Sequence, residues 1–149
     1  FPREGNGWSY KYARRQWNLV DNKDLCYHYL GDFDREMLSV IKSVRNFQRT
    51  NVQEIWHNDG DQILAFMRGD LIFVFNFNPT RSFTDYGFLV PTGSYDVVLN
   101  TDAKKFGGNG LADDSMTHMT NFDPLYVKDH KEWLKLYIPA RSAVVLKKN

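Results

Sequence analysis

The sequence predicts a mainly β fold: an antiparallel β-sandwich preceded by a short helical segment. Three observations carry that expectation. Apolar residues alternate at a period of two from about Val52 onward. Short turns rich in Asp and Gly separate the first of those runs. The first fifty residues keep a helical spacing instead, with no strand pattern before Val52.

The helical lead comes first. Tyr10, Ala13 and Trp17 fall on one apolar face with Arg14 at the same spacing, so Trp17 is expected in the core. Leu25 and Tyr29 suggest a short second helix. Asp32 is a plausible N-cap for a third, because a carboxylate accepts the free N–H groups of a first turn. Phe33, Met37, Ile41 and Val44 then share a face. These apolar faces are generous for a few short helices, and they suit packing against something beyond the sandwich.

The strands follow. Val52–Asn58 and Gln62–Arg68 flank Asp59-Gly60, and Gly69-Asp70 leads into Leu71–Phe77, a succession that reads as two hairpins. Leu71 to Phe75 is apolar at every position, which marks a central strand covered on both faces. Asn78-Pro79 ends it, since proline cannot donate to a ladder. Further strands are expected near Thr84–Val90, Tyr95–Asn100 and Ser115–Thr120. A last pair, Glu132–Ile138 and Ser142–Lys147, surrounds Pro139-Ala140-Arg141. The longest irregular stretch is Lys104–Asp114, whose Gly107, Gly108 and Gly110 suit positive φ.

Composition narrows the function. At 149 residues the chain is long enough for one sizeable core and too short for a complete (β/α)8 barrel of about 250 residues. A net charge of +1 leaves no electrostatic footprint for nucleic acid. No apolar run is long enough to span a bilayer. Cys26 is the single cysteine, so neither an internal disulfide nor a cysteine metal cluster can form, and a reducing, cytoplasmic home is expected. The chain begins at Phe1-Pro2 without methionine, as either a piece of a longer protein or a processed chain would.

Four segments resemble, in order and spacing, parts of 1,4-α-glucan (glycogen) branching enzymes of the type found in eukaryotes and some bacteria. They are FPREGNGWSYKYARRQW (Phe1–Trp17), YHYLGDFDREM (Tyr27–Met37), ILAFMRGDLIFVFNFNPTRSFTDY (Ile63–Tyr86) and LNTDAKKFGG (Leu99–Gly108). LKLYIPARSAVVL (Leu134–Leu146) is similar to the family's final hairpin. The resemblance implies that residues 1–50 are a helical remnant of the catalytic barrel and residues 51–149 the C-terminal all-β sandwich of an α-amylase-superfamily enzyme. Such a parent cuts an α-1,4 link, holds the fragment as a covalent glycosyl intermediate and transfers it to a 6-hydroxyl. That chemistry needs a carboxylate nucleophile and a second carboxyl about 5–5.5 Å away. The family places both in barrel strands upstream of Phe1, so no catalytic residue is carried over. The same resemblance implies that Arg3, Asn6, Trp8 and Tyr10, leaving the catalytic face of the barrel, line the glucan groove.

Within the chain itself the chemistry-bearing residue types read as structural. Asp32 with Asp34, and Asp113 with Asp114, suit helix capping, turns and a solvated loop rather than an acid–base pair. His28, His57, His118 and His130 match no metal-ligand spacing. No cofactor and no metal is indicated. Trp56 and Trp133 lie in strands and can face either side, while Trp8 lies in a glycine-rich loop suited to sugar contact.

The function these readings imply is that of a C-terminal accessory domain of a branching enzyme, a hexosyltransferase, supporting its barrel and not catalytic alone. The alternative is a glucan-binding module that holds a linear chain through exposed aromatics. The expected partners are the rest of the parent enzyme and an α-glucan, with neither nucleic acid nor membrane. If the barrel is missing, self-association through the face of Tyr10, Trp17, Phe33 and Met37 is expected.

Overall fold

A computed structural model describes residues 5, 7, 12, 14 and 16–149. After a one-turn helix α1 (Asn18–Asp21) and the longer α2 (Tyr27–Ser43), eight strands follow: β1 (Val52–Asn58), β2 (Ile63–Arg68), β3 (Leu71–Asn76), β4 (Phe83–Pro91), β5 (Ser94–Asn100), β6 (Thr117–Met119), β7 (Lys131–Ile138) and β8 (Ser142–Lys148). Six strands form one sheet in the order β1-β2-β3-β8-β5-β6, and β4 and β7 pair as a second sheet. All pairings are antiparallel.

Alternation along each strand decides what lies between the sheets. Ile63, Ala65, Ile72, Val74, Val144 and Leu146 of the large sheet meet Phe88, Val90, Leu134, Leu136 and Ile138 of the small one in a single buried cluster. The opposite face of the large sheet carries Leu71, Leu99 and Val145, and α2 and the segment after it lay Phe33, Met37, Val40, Val44 and Phe47 on that face. β3 is therefore a central strand, covered on both sides from Leu71 to Phe73, while Phe75 lies beyond α2 and is only half-buried. Each side chain so removed from water contributes up to about 1.5–3 kcal/mol.

Turn chemistry fixes the hairpins. Gly69-Asp70 joins Arg68 to its partner Leu71 with Gly69 at φ 60°, where a side chain would be strained. Two ladders are interrupted. Between Glu54 and Trp56 the β1–β2 register slips, and between Phe83 and Tyr86 the β4–β7 register slips, with Asp85 at φ 53°.

Several sequence expectations need correction. Leu134–Leu146 is not a hairpin: β7 pairs with β4, whereas β8 pairs with β3 and β5. The segment Pro139-Ala140-Arg141 crosses from one sheet to the other, with Pro139 buried and Arg141 at φ 54°. Asp32 is no N-cap. The helix already begins at Tyr27, merging the second and third expected helices, and Asp32 sits inside it, pairing with Arg35 at 2.7 Å. Trp17 is not core but 65% exposed, at the start of the one-turn helix α1, none of whose residues is buried. Phe33 and Met37 have not lost their partner, since the sheet covers them. Tyr10 and Ala13 lie outside the described residues.

Candidate functional site

Arg3, Asn6, Trp8 and Tyr10 lie outside the described residues. Among the described ones, three places could meet a ligand or partner.

One is the outer face of the large sheet beyond the reach of α2. Phe66 lies opposite Phe73, and Leu64 opposite Phe75, so these side chains share that face. Their rings form a row. Phe66 stacks on Phe73 at 4.9 Å and on Phe75 at 5.8 Å, and Phe75 stacks on Phe77 at 5.6 Å with the planes only 5° apart. Phe47 leans over Phe73 at one end, and Phe77 is 62% exposed at the other. Beside the open end, Glu54, His57, Gln62, Leu64 and Phe77 surround a shallow recess. His57 Nδ1 lies 2.6 Å from Glu54 Oε1. The hydrogen bond and charge of Glu54 hold the imidazole above its ordinary value of 6.5.

A second place is the open edge of the sandwich where β1 meets β4. Trp56 Nε1–H donates to the Tyr86 hydroxyl oxygen at 3.2 Å, and that hydroxyl donates to Asp61 Oδ2 at 3.0 Å. Arg81 Nη1 stands 3.4 Å from Asp61 Oδ1, and its guanidinium lies over the Phe83 ring at 4.9 Å. Partial burial raises the Tyr86 phenol above its ordinary value of 10.

The third is an apolar cavity of about 270 Å³ lined by Val97, Leu111, Met116, His118, Tyr137 and Val144. Burial holds His118 below 6.5, against the opposing pull of Asp96 and Asp113. Asp113 accepts from the N–H and hydroxyl of Ser115, which hold its carboxyl below its usual range. Asp114 accepts from Asn100. These two carboxylates are thus occupied by their own loop. No group of three His, Cys, Asp or Glu side chains able to hold a metal occurs among the described residues.

The other glycine-rich candidate is a structural loop. Gly107 and Gly110 have φ 78° and 66° as expected, whereas Gly108 lies outside the positive-φ region and instead makes room for the Asp102 backbone, which a Cβ would meet at 2.2 Å. Its organiser, Asp102, is buried and accepts the N–H groups of Asn109 and Leu111, while its carbonyl accepts that of Gly110. Trp133 is also settled: its Nε1–H donates to Asp123 at 2.8 Å and its ring closes on Gly87, where a Cβ would sit 3.0 Å away.

This framework of two antiparallel sheets has known relatives. A family model described as alpha amylase, C-terminal all-beta domain, matches residues 55–149. The chain belongs to that family. Its curated relatives include the 1,4-alpha-glucan-branching enzymes of Candida glabrata and Saccharomyces cerevisiae. Each is 40% identical over 147 residues, which is 98% of this chain and 20% and 21% of those enzymes respectively. The chloroplastic/amyloplastic branching enzyme of Oryza sativa is 42% identical over 124 residues, covering 81% of this chain and 15% of its own. Among solved structures, an alpha-amylase from H. orenii aligns with 89% of this chain and 22% of its own at a TM-score of 0.47 and 18% identity. This α-amylase C-terminal all-β domain thus spans about a fifth of the length of its branching-enzyme relatives. No helix among the described residues is long and apolar enough to cross a membrane.

Sequence reasoning missed the Trp56–Tyr86–Asp61–Arg81 cluster. The residues come from β1, β4 and the loops beside them, and two register slips bring them together; slips leave no mark in a period-two pattern.

Proposed function

We propose that this chain serves as the C-terminal accessory part of a 1,4-α-glucan branching enzyme, supporting a catalytic barrel supplied by the rest of the polypeptide. Residues 1–50 then belong to the end of that barrel and residues 51–149 to the sandwich. Arg3, Asn6, Trp8 and Tyr10 border the glucan groove, and the whole acts in the cytoplasm, where the exposed free thiol of Cys26 stays reduced.

The observation that supports the supporting role is the phenylalanine row. A sugar ring binds an aromatic by laying its C–H face on an open ring face. Phe66, Phe73 and Phe75 turn their faces toward one another, so the row presents ring edges and one terminal ring. Such a ridge suits burial under another protein surface. The relatives, about five times as long as the matched segment, have the further chain to provide one.

Two measurements test the reading. The full-length polypeptide carrying this chain should lower the iodine absorbance of amylose while creating α-1,6 links that a debranching enzyme removes; an active preparation of amylose left without new links would sink the catalytic part. Phe75→Ser with Phe77→Ser should shorten the half-life of that activity on heating severalfold. An unchanged half-life would refute the supporting role assigned to this face.

A further inference from the structure

The sandwich edge at Trp56 has features that packing alone does not require. Trp56 and Tyr86 each stand immediately after a register slip in their strand. The first slip turns both Ile55 and Trp56 toward the inner side of the large sheet: Ile55 packs into the core, and Trp56 lies opposite inward-facing Ala65. The second slip brings Tyr86 opposite Leu136 and against the same core. Slips of this kind re-aim side chains and concentrate next to functional sites.

The result is an anchored but open aromatic. The indole N–H is held by Tyr86 and, through it, by Asp61, yet Trp56 stays 45% exposed. Beyond it the Asp61 and Arg81 side chains are 25% and 58% exposed, so both offer hydrogen-bonding capacity to solvent. Phe83 supports the guanidinium from below and meets Tyr86 edge-on at 5.2 Å. Holding these groups in place beforehand removes much of the ordering cost of binding.

The chemistry selects the ligand. A carboxylate and a guanidinium at 3.4 Å compensate each other, so an anion such as a phosphate gains no net attraction. Planar, bidentate polar groups beside an indole suit a neutral polyol, whose C–H face lies on the ring while neighbouring hydroxyls bridge to oxygen and nitrogen. We infer that Trp56, Tyr86, Asp61 and Arg81 form a non-catalytic binding site for a segment of α-glucan. The choice of α-glucan among polyols rests on the branching-enzyme reading above; the polyol chemistry does not.

The experiment uses the full-length polypeptide. Migration through native gels containing soluble amylopectin gives an apparent dissociation constant, and hydroxyl-radical footprinting with and without maltoheptaose gives the protection of individual side chains. Trp56→Ala should raise the dissociation constant at least threefold, and Arg81→Gln should raise it in the same direction. In the unmutated protein maltoheptaose should protect Trp56 from oxidation, a readout that needs no variant to fold. Unchanged retardation by Trp56→Ala, or equal oxidation of Trp56 with and without the sugar, would overturn the site. Loss of the branching reading has a separate signature, the absence of new α-1,6 links, and leaves the gel and footprint readouts free to judge the site.

Discussion

The Asn76 side chain reaches across 63 residues of sequence to the carbonyl of Pro139, its Nδ2 donating at 2.9 Å. The same nitrogen also donates to the carbonyls of Arg81 and Ile138, and its Oδ1 accepts the N–H of Asn78. Asn76 is 1% exposed. One amide therefore ties the end of β3, the loop after it and the segment that crosses between the sheets.

Asn76→Ala removes those donors and the acceptor of the buried Asn78 N–H, while the Pro139 carbonyl keeps the Ser142 hydroxyl at 2.6 Å. An unsatisfied buried group such as that N–H costs about 1–3 kcal/mol, and the lost bonds to the Arg81 and Ile138 carbonyls add to it. The variant should lose about 2–4 kcal/mol of unfolding free energy, read as a lower urea midpoint at unchanged slope. A midpoint equal to that of the parent protein would show that water replaces the amide at no cost.

Two glycines of the same loop should respond very differently. A Cβ on Gly108 would lie 2.2 Å from the carbonyl oxygen of Asp102, which is backbone and cannot step aside. At Gly110 the nearest atoms belong to the flexible Lys104 side chain, and the strain comes from φ 66°. Gly108→Ala should cost more than about 3 kcal/mol and Gly110→Ala about 1 kcal/mol. Thermal melts of the two variants give the order, and a reversed order would refute the account of Asp102 as the loop's organiser.

Alkali should find Tyr95. Its side chain is 1% exposed and its hydroxyl donates to the Pro91 carbonyl at 2.6 Å. Burial pushes the phenol from 10 up to about 12. The folded state then keeps a proton that the unfolded chain gives up above pH 10. Stability is full below that value and declines as pH rises through it toward about 12. Tyr95→Phe should be less stable at neutral pH, through the lost hydrogen bond, and should show a shallower loss between pH 10 and 12. Urea midpoints measured across that range test both.

His57 offers a local titration. With its pKa raised by Glu54, the pair's contribution is present below pH 6.5 and lost as pH rises through the folded value. The His57 ring resonances should titrate above 6.5, and Glu54→Gln should bring the midpoint down. A midpoint that ignores the substitution would remove Glu54 as the cause.

Much of this architecture could be read from local signals. Asp59-Gly60 and Gly69-Asp70 announce their hairpins because turn geometry depends on the few residues in the turn. The run Leu71–Phe75 announces a central strand, with Leu71, Ile72 and Val74 buried and Phe73 and Phe75 half-buried. Pairing between distant strands was not legible in the same way. Nothing in Leu134–Leu146 distinguishes a hairpin from two strands that part company, because the choice is made by β4 and β3 elsewhere in the chain. Asn76 and Asn78 read only as the end of a strand, yet both are buried organisers of loops. Asp32 carried a true preference for helix starts that the longer helix overrode. The Trp56 cluster depends on two register slips, each a matter of one strand's count against another's.

The place of β8 has a consequence for biosynthesis. Ser142–Lys148 runs between β3 and β5, so the strands β1-β2-β3 and β5-β6 touch within the sheet only through this later segment. A nascent chain that has emerged as far as Pro139 holds two separate half-sheets, each with a bare edge at β3 or β5. Such edges invite pairing with neighbouring chains. A chaperone that shields β3 until translation has passed Lys148 would therefore raise the yield more than one acting on the α2 region, whose partners Leu71, Leu99 and Phe106 precede β8.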